Sequence, residues 1–228
     1  MNHGIVIDKE GNMDTLKECI KLLKYDIQKK MMIVSLVLFS FMTVMYTILF
    51  FNNQQQMGAH YWLPFMAIFP LQGVYNVMFS KYVISAPKFR KILIKGTTIL
   101  HTTFTVVAYI IAIGGECLIA REIGFDLNVK MIVMTFLMVD LTTVIYIQIY
   151  YRSIFWGIVS IIPMCVCLVA ATQFRDFVTK LQFDDSIMIV AGFVGIALIA
   201  AISYGVGCLL YKIPFSDAVI KRMLSKTK

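Results

Sequence analysis

The sequence predicts an all-α membrane protein with six transmembrane helices, both termini in the cytoplasm, and an N-terminal amphipathic interfacial helix. Three observations support this prediction: the composition, six long apolar runs and the distribution of the cations. Of the 228 residues, 59% are hydrophobic and 15% are charged, whereas soluble domains average roughly 45–50% apolar and about 25% charged residues. The composition therefore excludes an ordinary soluble domain.

Each predicted span is an apolar run of about 17 to 25 residues, the length that a helix needs to cross a hydrocarbon core. We place the six spans at 33–51, 61–78, 98–114, 131–150, 154–171 and 187–211. Together they predict one transmembrane domain over residues 31–211. The first run is too long for a signal peptide and follows some thirty residues of polar sequence, so we expect it to remain as a membrane helix.

The Lys and Arg residues fall unevenly on the two sides of these spans. Of 21 cations, 17 lie before span 1, between spans 2 and 3, between spans 4 and 5, and after span 6. Because cations concentrate in cytoplasmic loops, this asymmetry places both termini in the cytoplasm and favours an even number of spans. The net charge of +8 thus reflects topology, and we expect no nucleic-acid partner.

The termini are expected to lie outside the hydrocarbon. Residues 1–12 are predicted to be a flexible lead, and residues 13–30 an amphipathic cytoplasmic helix. Its apolar positions recur at alternating four- and three-residue steps: Leu16, Ile20, Leu23 and Ile27. Lysines occupy most of the other faces, a pattern typical of a helix lying on the membrane surface. Residues 212–228 are predicted to be a cytoplasmic tail.

Several polar residues are assigned by their place relative to the spans. His60 and His101 begin spans 2 and 3, and we expect both to be interfacial polar caps rather than metal ligands. Glu116 lies with Arg121 and Glu122 in the predicted third connection. This connection is expected to be a solvated loop, with binding of an exported cationic group as the alternative. The fifth connection, 172–186, is either interfacial or re-entrant, or an ordinary loop.

Asp140 is the single charge inside the six predicted spans, near the middle of span 4. A carboxylate at this depth is costly and marks a candidate functional site. With Thr143 it forms a predicted intramembrane polar site, for which Thr135, Thr142 and Gln148 supply further hydroxyl and amide groups. Three roles remain open: fixing helix packing, contributing to a substrate path or gate, and relaying protons.

Prolines and small residues within the spans predict where helices bend and where they pack closely. Pro64 and Pro70 in span 2, and Pro163 in span 5, interrupt the helical hydrogen bonds and predict kinks. In span 6 the small residues Ala197, Ala201 and Gly205 recur every four residues. This stripe predicts close helix packing.

The chain contains no common catalytic motif. It has no G-x-x-x-x-G-K-[ST] loop for ATP, no H-E-x-x-H and no G-x-S-x-G. We therefore expect no enzymatic activity, no cofactor and no metal in this chain.

The connection between spans 2 and 3, residues 79–97, includes SAPKFRKILIKG. After Pro87, the apolar residues Phe89, Ile92 and Leu93 follow at helical spacing and predict a short amphipathic helix that begins with proline. The cations available to an acidic partner surface are Lys81, Lys88, Arg90, Lys91 and Lys95.

This layout, together with SAPKFRKILIKGTTIL and IYYRSIFWGIVSIIPM, resembles the ABC-2 type permeases, the small membrane subunits of bacterial ABC exporters. The resemblance implies a bacterial plasma-membrane protein that dimerises with itself or with a paralogue through spans 1 and 5. It also implies two copies of a separate ATPase, which binds ATP and Mg, and a hydrophobic or amphipathic substrate such as a peptide, peptide antibiotic or lipid-like molecule.

In that family the loop between spans 2 and 3 couples the permease to its ATPase. Carried over to this chain, the coupling residues are Lys81, Pro87, Lys88, Phe89, Arg90, Lys91, Ile92 and Lys95. The resemblance assigns no role to Asp140. Two other functions remain open: a non-transporting immunity or signalling protein, and an ion-coupled transporter that uses Asp140.

Overall fold

The computed structural model of the chain describes residues 12–23, 29–52, 58–78, 92–153, 155 and 183–212. All regular secondary structure in these ranges is helical. The helices are α1 (Asn12–Leu23), α2 (Lys29–Phe51), α3 (Ala59–Met66), α4 (Ile68–Met78), α5 (Ile92–Ile123), α6 (Val129–Arg152) and α7 (Asp185–Tyr211). Four of them, α2, α5, α6 and α7, contain stretches long and apolar enough to cross a membrane.

These four helices coincide with the predicted spans 1, 3, 4 and 6, which supports a multi-pass membrane protein. The predicted span at 154–171 lies outside the described residues apart from residue 155. Also outside them are residues 1–11, most of the fifth connection and the tail from residue 213.

The second predicted span, 61–78, consists of two helices that meet at Ala67. Proline at position 70 has no N–H, and its ring crowds the carbonyl of Met66 four residues earlier. The backbone N–H of Ala67 accordingly donates to the carbonyl of Pro64 at 3.2 Å, a tighter turn than an α-helix makes. A proline break was expected here, and the structure shows that it divides the segment into α3 and α4.

Helix α5 extends beyond the predicted span 98–114 in both directions. Its first turn, Ile92–Gly96, and an internal segment, Ile110–Gly114, are π-helical. The helix ends at Gly124, whose φ of 68° lies in the left-handed region that favours glycine. Only residues 124–128 connect α5 to α6, so the predicted third connection is mostly helix.

The described helices form a bundle with one apolar cluster towards each end. At the α1 end, α1 packs against α4 and α5. The apolar cluster there contains Cys19, Leu71, Val74, Tyr75, Leu93, Leu100 and, from α6, Ile147. The opposite cluster contains residues of α2, α3, α5, α6 and α7, including Phe50, Leu63, Tyr109, Ile132, Phe136 and Ile196. The end of α4, the beginning of α5 and the end of α6 therefore lie on the same side as α1.

Helix α7 approaches its neighbours through Gly192 and Gly195. A Cβ added at Gly192 would overlap the Tyr109 ring of α5, and one added at Gly195 would lie 2.6 Å from a methyl of Leu137 in α6. The predicted packing stripe of Ala197, Ala201 and Gly205 is instead exposed. Within the described residues of one chain, close packing of this helix therefore occurs through Gly192 and Gly195, and the packing predicted for the stripe stays a prediction.

Candidate functional site

Asp140 lies at the middle of α6 and has no exposed surface. The buried residues of α6 recur with helical periodicity from Val129 to Gln148, so Asp140 points into the bundle and away from lipid. The helix period alone thus places the carboxylate in the protein interior.

One carboxylate oxygen of Asp140 binds two side chains of α5. His101 Nε2 lies 3.1 Å from Oδ1, and the Thr105 hydroxyl donates to the same oxygen at 2.9 Å. His101 and Thr105 are four residues apart, so both face α6. The contact gives each buried polar group a partner inside the protein, which lowers the cost of burying both.

The second oxygen of Asp140 and the hydroxyl of Thr143 have no hydrogen-bond partner among the described residues. Both atoms belong to side chains with no exposed surface. Both residues of the sequence-predicted polar site are therefore buried. Asp140 binds His101 and Thr105, while Thr143 is not bonded to that pair.

A second polar contact lies nearer the C-terminal end of α6. The amide nitrogen of Gln148 donates to the backbone carbonyl of Ser203 at 3.1 Å and lies 2.8 Å from its hydroxyl. The Ser203 hydroxyl lies 3.5 Å from that of Thr98 on α5. These polar contacts join α5, α6 and α7. They lie about two turns of α6 beyond Asp140, towards its C-terminal end.

A second buried histidine–carboxylate pair joins α3 to the distal part of α5. His60 Nδ1 lies 2.8 Å from Glu116 Oε2 and 3.1 Å from Oε1, and the His60 backbone N–H donates to Oε1 at 3.2 Å. The exposed fractions of the two side chains are 0% and 1%. Gly58 lies beside this pair, since an added Cβ there would collide with the Glu116 carboxylate.

These contacts correct three sequence predictions. Neither His60 nor His101 is an interfacial cap, because both are buried against carboxylates. Glu116 does not lie in a solvated loop, because α5 continues past it. Only Arg121 and Glu122 of that set are exposed.

The predicted coupling segment is described only from residue 92. Ile92 is partly buried in the first turn of α5, and Lys95 lies in the same π-helical turn. The remaining coupling residues lie outside the described part: Lys81, Pro87, Lys88, Phe89, Arg90 and Lys91.

Helix α1 covers this first turn of α5. Cys19 is fully buried there, and a Cβ added at Gly96 would approach its sulfur to 2.5 Å. Burial, followed by the nearby charge of Glu18, raises the pKa of the Cys19 thiol to about 11. The thiol is therefore protonated at neutral pH and acts as a small apolar contact.

The polar groups of the described residues do not form a metal centre. No group of three or more His, Cys, Asp and Glu side chains in that part of the chain could hold an ion. The polar contacts described above are hydrogen bonds between helices.

Sequence reasoning identified Asp140 but missed the partnership of each carboxylate with a histidine. The spacing of His101 and Thr105 was an available signal, since a residue pair four apart faces one neighbour. No comparable signal linked His60 to Glu116, which are 56 residues apart.

Comparison with known proteins found no matching family model, no matching curated protein and no matching solved structure.

Proposed function

We propose that this chain is the membrane-spanning permease subunit of an ATP-driven ABC exporter in a bacterial plasma membrane. The proposal includes six spans with both termini in the cytoplasm. Two copies of a separate ATPase bind ATP and Mg, and a second permease subunit, identical or paralogous, completes the complex. A peptide, peptide antibiotic or lipid-like substrate leaves the cell by alternating access at the dimer interface.

The observation that carries this proposal is the position of α1. It packs against α4, which precedes the basic segment 79–91, and against the first turn of α5, which follows that segment. A partner that binds residues 79–91 would therefore meet a packed corner of three helices. Motion of such a partner would pass directly into α5, which contributes one member to each buried histidine–carboxylate pair, His101 to one and Glu116 to the other.

The charge at this end fits an acidic partner surface. Residues 79–97 contain five cations and no acidic residue. Basic segments of this kind face the cytoplasm in membrane proteins and steer binding to acidic surfaces.

The exposed face of α2 is consistent with a second permease subunit. Val37, Phe41, Val44 and Ile48 are each more than half exposed and follow one another at three- and four-residue steps. An apolar membrane helix that contributes so little to its own bundle is available to lipid or to another subunit.

The proposal is tested by purifying the tagged chain from native membranes in mild detergent and sequencing the proteins that copurify. We expect a Walker-motif ATPase whose ATP hydrolysis depends on the permease. Reversing Lys88, Arg90 and Lys91 to Glu should remove this subunit and the associated hydrolysis. Arg121→Glu, an exposed reversal at the opposite end of α5, is the matched control and should retain both.

Absence of any associated ATPase contradicts the proposal, as does a complex that survives the triple reversal with unchanged ATP hydrolysis. Equal loss in Arg121→Glu would indicate a general effect of charge rather than a coupling segment.

An ion-coupled transporter is the second candidate, because Asp140 is a fully buried carboxylate with one unbonded oxygen among the described residues. Asp140→Asn separates the two. Transport that survives this substitution with an unchanged dependence on pH contradicts proton coupling and leaves the ATP-driven exporter.

A further inference from the structure

Helix α1 has two different faces. Thr15 and Cys19 are 2% and 0% exposed, and a Cβ added at Gly96 in the first turn of α5 would lie 3.6 Å from the Thr15 methyl and against the Cys19 sulfur. Lys17 and Lys21 are exposed and lie about 160° around the helix from Cys19. The bundle therefore covers one side of α1 and leaves the side with the lysines exposed.

The exposed side differs from the apolar stripe that the sequence pattern predicted, which consists of Leu16, Ile20, Leu23 and Ile27. Leu16 and Leu23 instead pack against the apolar cluster at the α1 end, and Ile27 lies outside the described residues. Ile20 remains 49% exposed, next to Lys21. The outer side of α1 is therefore basic, with one apolar side chain at its border.

Helix α1 lies at the level where membrane spans begin. It packs against the turn Ile92–Gly96, which starts a 32-residue helix apolar enough to cross a membrane. Residues 24–28 alone separate α1 from α2, whose own candidate span begins at Ile33. This short connection reaches at most about 20 Å. Helix α1 therefore stays close to the headgroups of a bilayer that surrounds these spans.

The described charges are divided unevenly between the two ends of the bundle. At the α1 end, α1, α2, α5 and α6 all supply lysine or arginine, and the acidic residues of the described part there are Asp14 and Glu18. At the opposite end, Arg121 and Lys130 are outnumbered by described acidic residues, namely Glu116, Glu122, Asp126, Asp184 and Asp185. The α1 end therefore attracts a negatively charged partner.

We propose that the outer face of α1, defined by Lys17, Ile20 and Lys21, binds anionic phospholipid headgroups. The lysine ammonium groups contact lipid phosphates, and Ile20 enters the boundary between headgroups and acyl chains. Basic helices with an apolar border bind membranes in this way, and the binding strengthens with the negative charge of the lipid. Ile20 favours lipid over an acidic protein surface, because a contact made by charge alone would leave it in water.

This inference concerns the chain without any partner subunit and does not depend on the proposed function. Its failure would leave the ATPase copurification unaffected, and a failed copurification would leave the lipid contact unaffected.

The test measures lipid contact at position 20 by fluorescence. Trp62→Phe and Trp156→Phe remove the two native tryptophans, and Ile20→Trp supplies a single fluorophore. The matched control is Leu118→Trp, an exposed apolar position at the acidic end of α5. Each variant is reconstituted in vesicles of equal parts phosphatidylglycerol and phosphatidylcholine, and one of the two lipids has brominated acyl chains that quench nearby indoles.

We expect brominated phosphatidylglycerol to quench position 20 at least about twofold more than brominated phosphatidylcholine, because the lysines attract the anionic lipid. Position 118 should show no preference. Lys17→Gln combined with Lys21→Gln should abolish the preference at position 20, since glutamine has a similar helix propensity but no charge.

Equal quenching of position 20 by the two lipids overturns the proposal, as does a preference that survives the loss of both lysines. Quenching by aqueous acrylamide without quenching by either lipid also overturns it, and indicates an acidic protein as the partner of this face.

A second measurement, on the unchanged chain, covers the case in which the tryptophan variants do not fold. A water-soluble acylating reagent modifies lysines of the chain in vesicles of either lipid alone, and mass spectrometry gives the modified fraction of each lysine. The ratio of Lys21 to Lys130 modification should fall about twofold or more in phosphatidylglycerol, because lipid phosphates cover Lys21. The surface potential of the vesicle affects both residues, so an unchanged ratio overturns the proposal.

Discussion

The two buried histidine–carboxylate pairs differ in how completely the carboxylate is bonded. Both oxygens of Glu116 contact His60, which adds its backbone N–H. Asp140 binds His101 and Thr105 through one oxygen and leaves the other without a protein partner among the described residues. The first arrangement is that of a structural clasp between α3 and α5, whereas the second leaves one carboxylate oxygen without a partner among the described residues.

The pairs also differ in the backbone around them. Gly58 allows Glu116 to reach the start of α3, and the π-helical turn Ile110–Gly114 changes the face of α5 between Tyr109 and Glu116. Asp140 and His101 lie within regular α-helix. Local geometry thus favours contact at the first pair, whereas at the second it leaves one oxygen free.

The largest effect is expected from Glu116→Ala. Removing one member of a buried pair leaves His60 without its partner and costs roughly 3–5 kcal/mol. The measurement is the free energy of unfolding in mild detergent. Glu122→Ala, an exposed change on the same helix, should stay within about 0.5 kcal/mol of the parent. Similar values for the two variants would contradict the clasp.

The isosteric amide changes compare the two pairs directly. Glu116→Gln replaces an oxygen that accepts a hydrogen bond with an –NH₂ group, and we expect a loss of about 1.5–3 kcal/mol.

Asp140→Asn keeps an oxygen for Thr105 and His101 and places –NH₂ where Oδ2 had no protein partner, so the loss should be below about 1 kcal/mol. Both are read from the same unfolding experiment. An equal loss in the two variants would remove the distinction between the fully bonded and the half-bonded carboxylate.

Gly192→Ala tests the packing of α7 against Tyr109, which lies on α5 between His101 and Glu116. The Tyr109 hydroxyl donates to the carbonyl of Ile189 at 2.9 Å, and the added methyl would displace its ring. We expect a loss of about 1–3 kcal/mol from overpacking. Gly205→Ala meets no atom within 4 Å and should gain about 0.5–1 kcal/mol from its helix preference. A gain in stability from Gly192→Ala together with a loss from Gly205→Ala would contradict this packing of α7.

The smallest effect concerns Cys19, a buried ionisable group at the α1 end without a histidine counterpart. The pKa of this thiol, about 11, exceeds the ordinary value of 9.0. Because the thiolate fraction near pH 8 is then about a hundredfold smaller, we expect alkylation about a hundredfold slower than for a free thiol.

The pKa of the Cys19 thiol is higher in the folded state than in the unfolded state. Burial of the protonated thiol therefore contributes fully to folding stability below pH 9, and this contribution is lost as the pH rises towards 11. Iodoacetamide kinetics and unfolding between pH 8 and pH 11 check both expectations, with Cys19→Ala as the control that lacks the pH dependence. Rapid alkylation of the folded protein at pH 8 would show that α1 does not cover Gly96.

Some features of the bundle could be predicted residue by residue. The apolar runs located α2, α6 and α7 to within a few residues, because helices in lipid must satisfy their own backbone and need a fixed length. As the single charge within the predicted spans, Asp140 was expected to be a buried polar site, and it is buried. The length of α5 was underestimated, because Glu116 and Arg121 resemble the end of a span when their burial is unknown.

The amino-acid sequence by itself determined the class of protein, the position of the apolar helices and the place of Asp140 near the middle of one of them, since these depend on local hydrophobicity and helix period. Only the tertiary structure decided which groups meet. The pairing of His60 with Glu116 and of His101 with Asp140, and the face of α7 that packs, depend on the contacts between helices. These contacts arise from side-chain shape and glycine positions distributed over the chain, which no local pattern encodes.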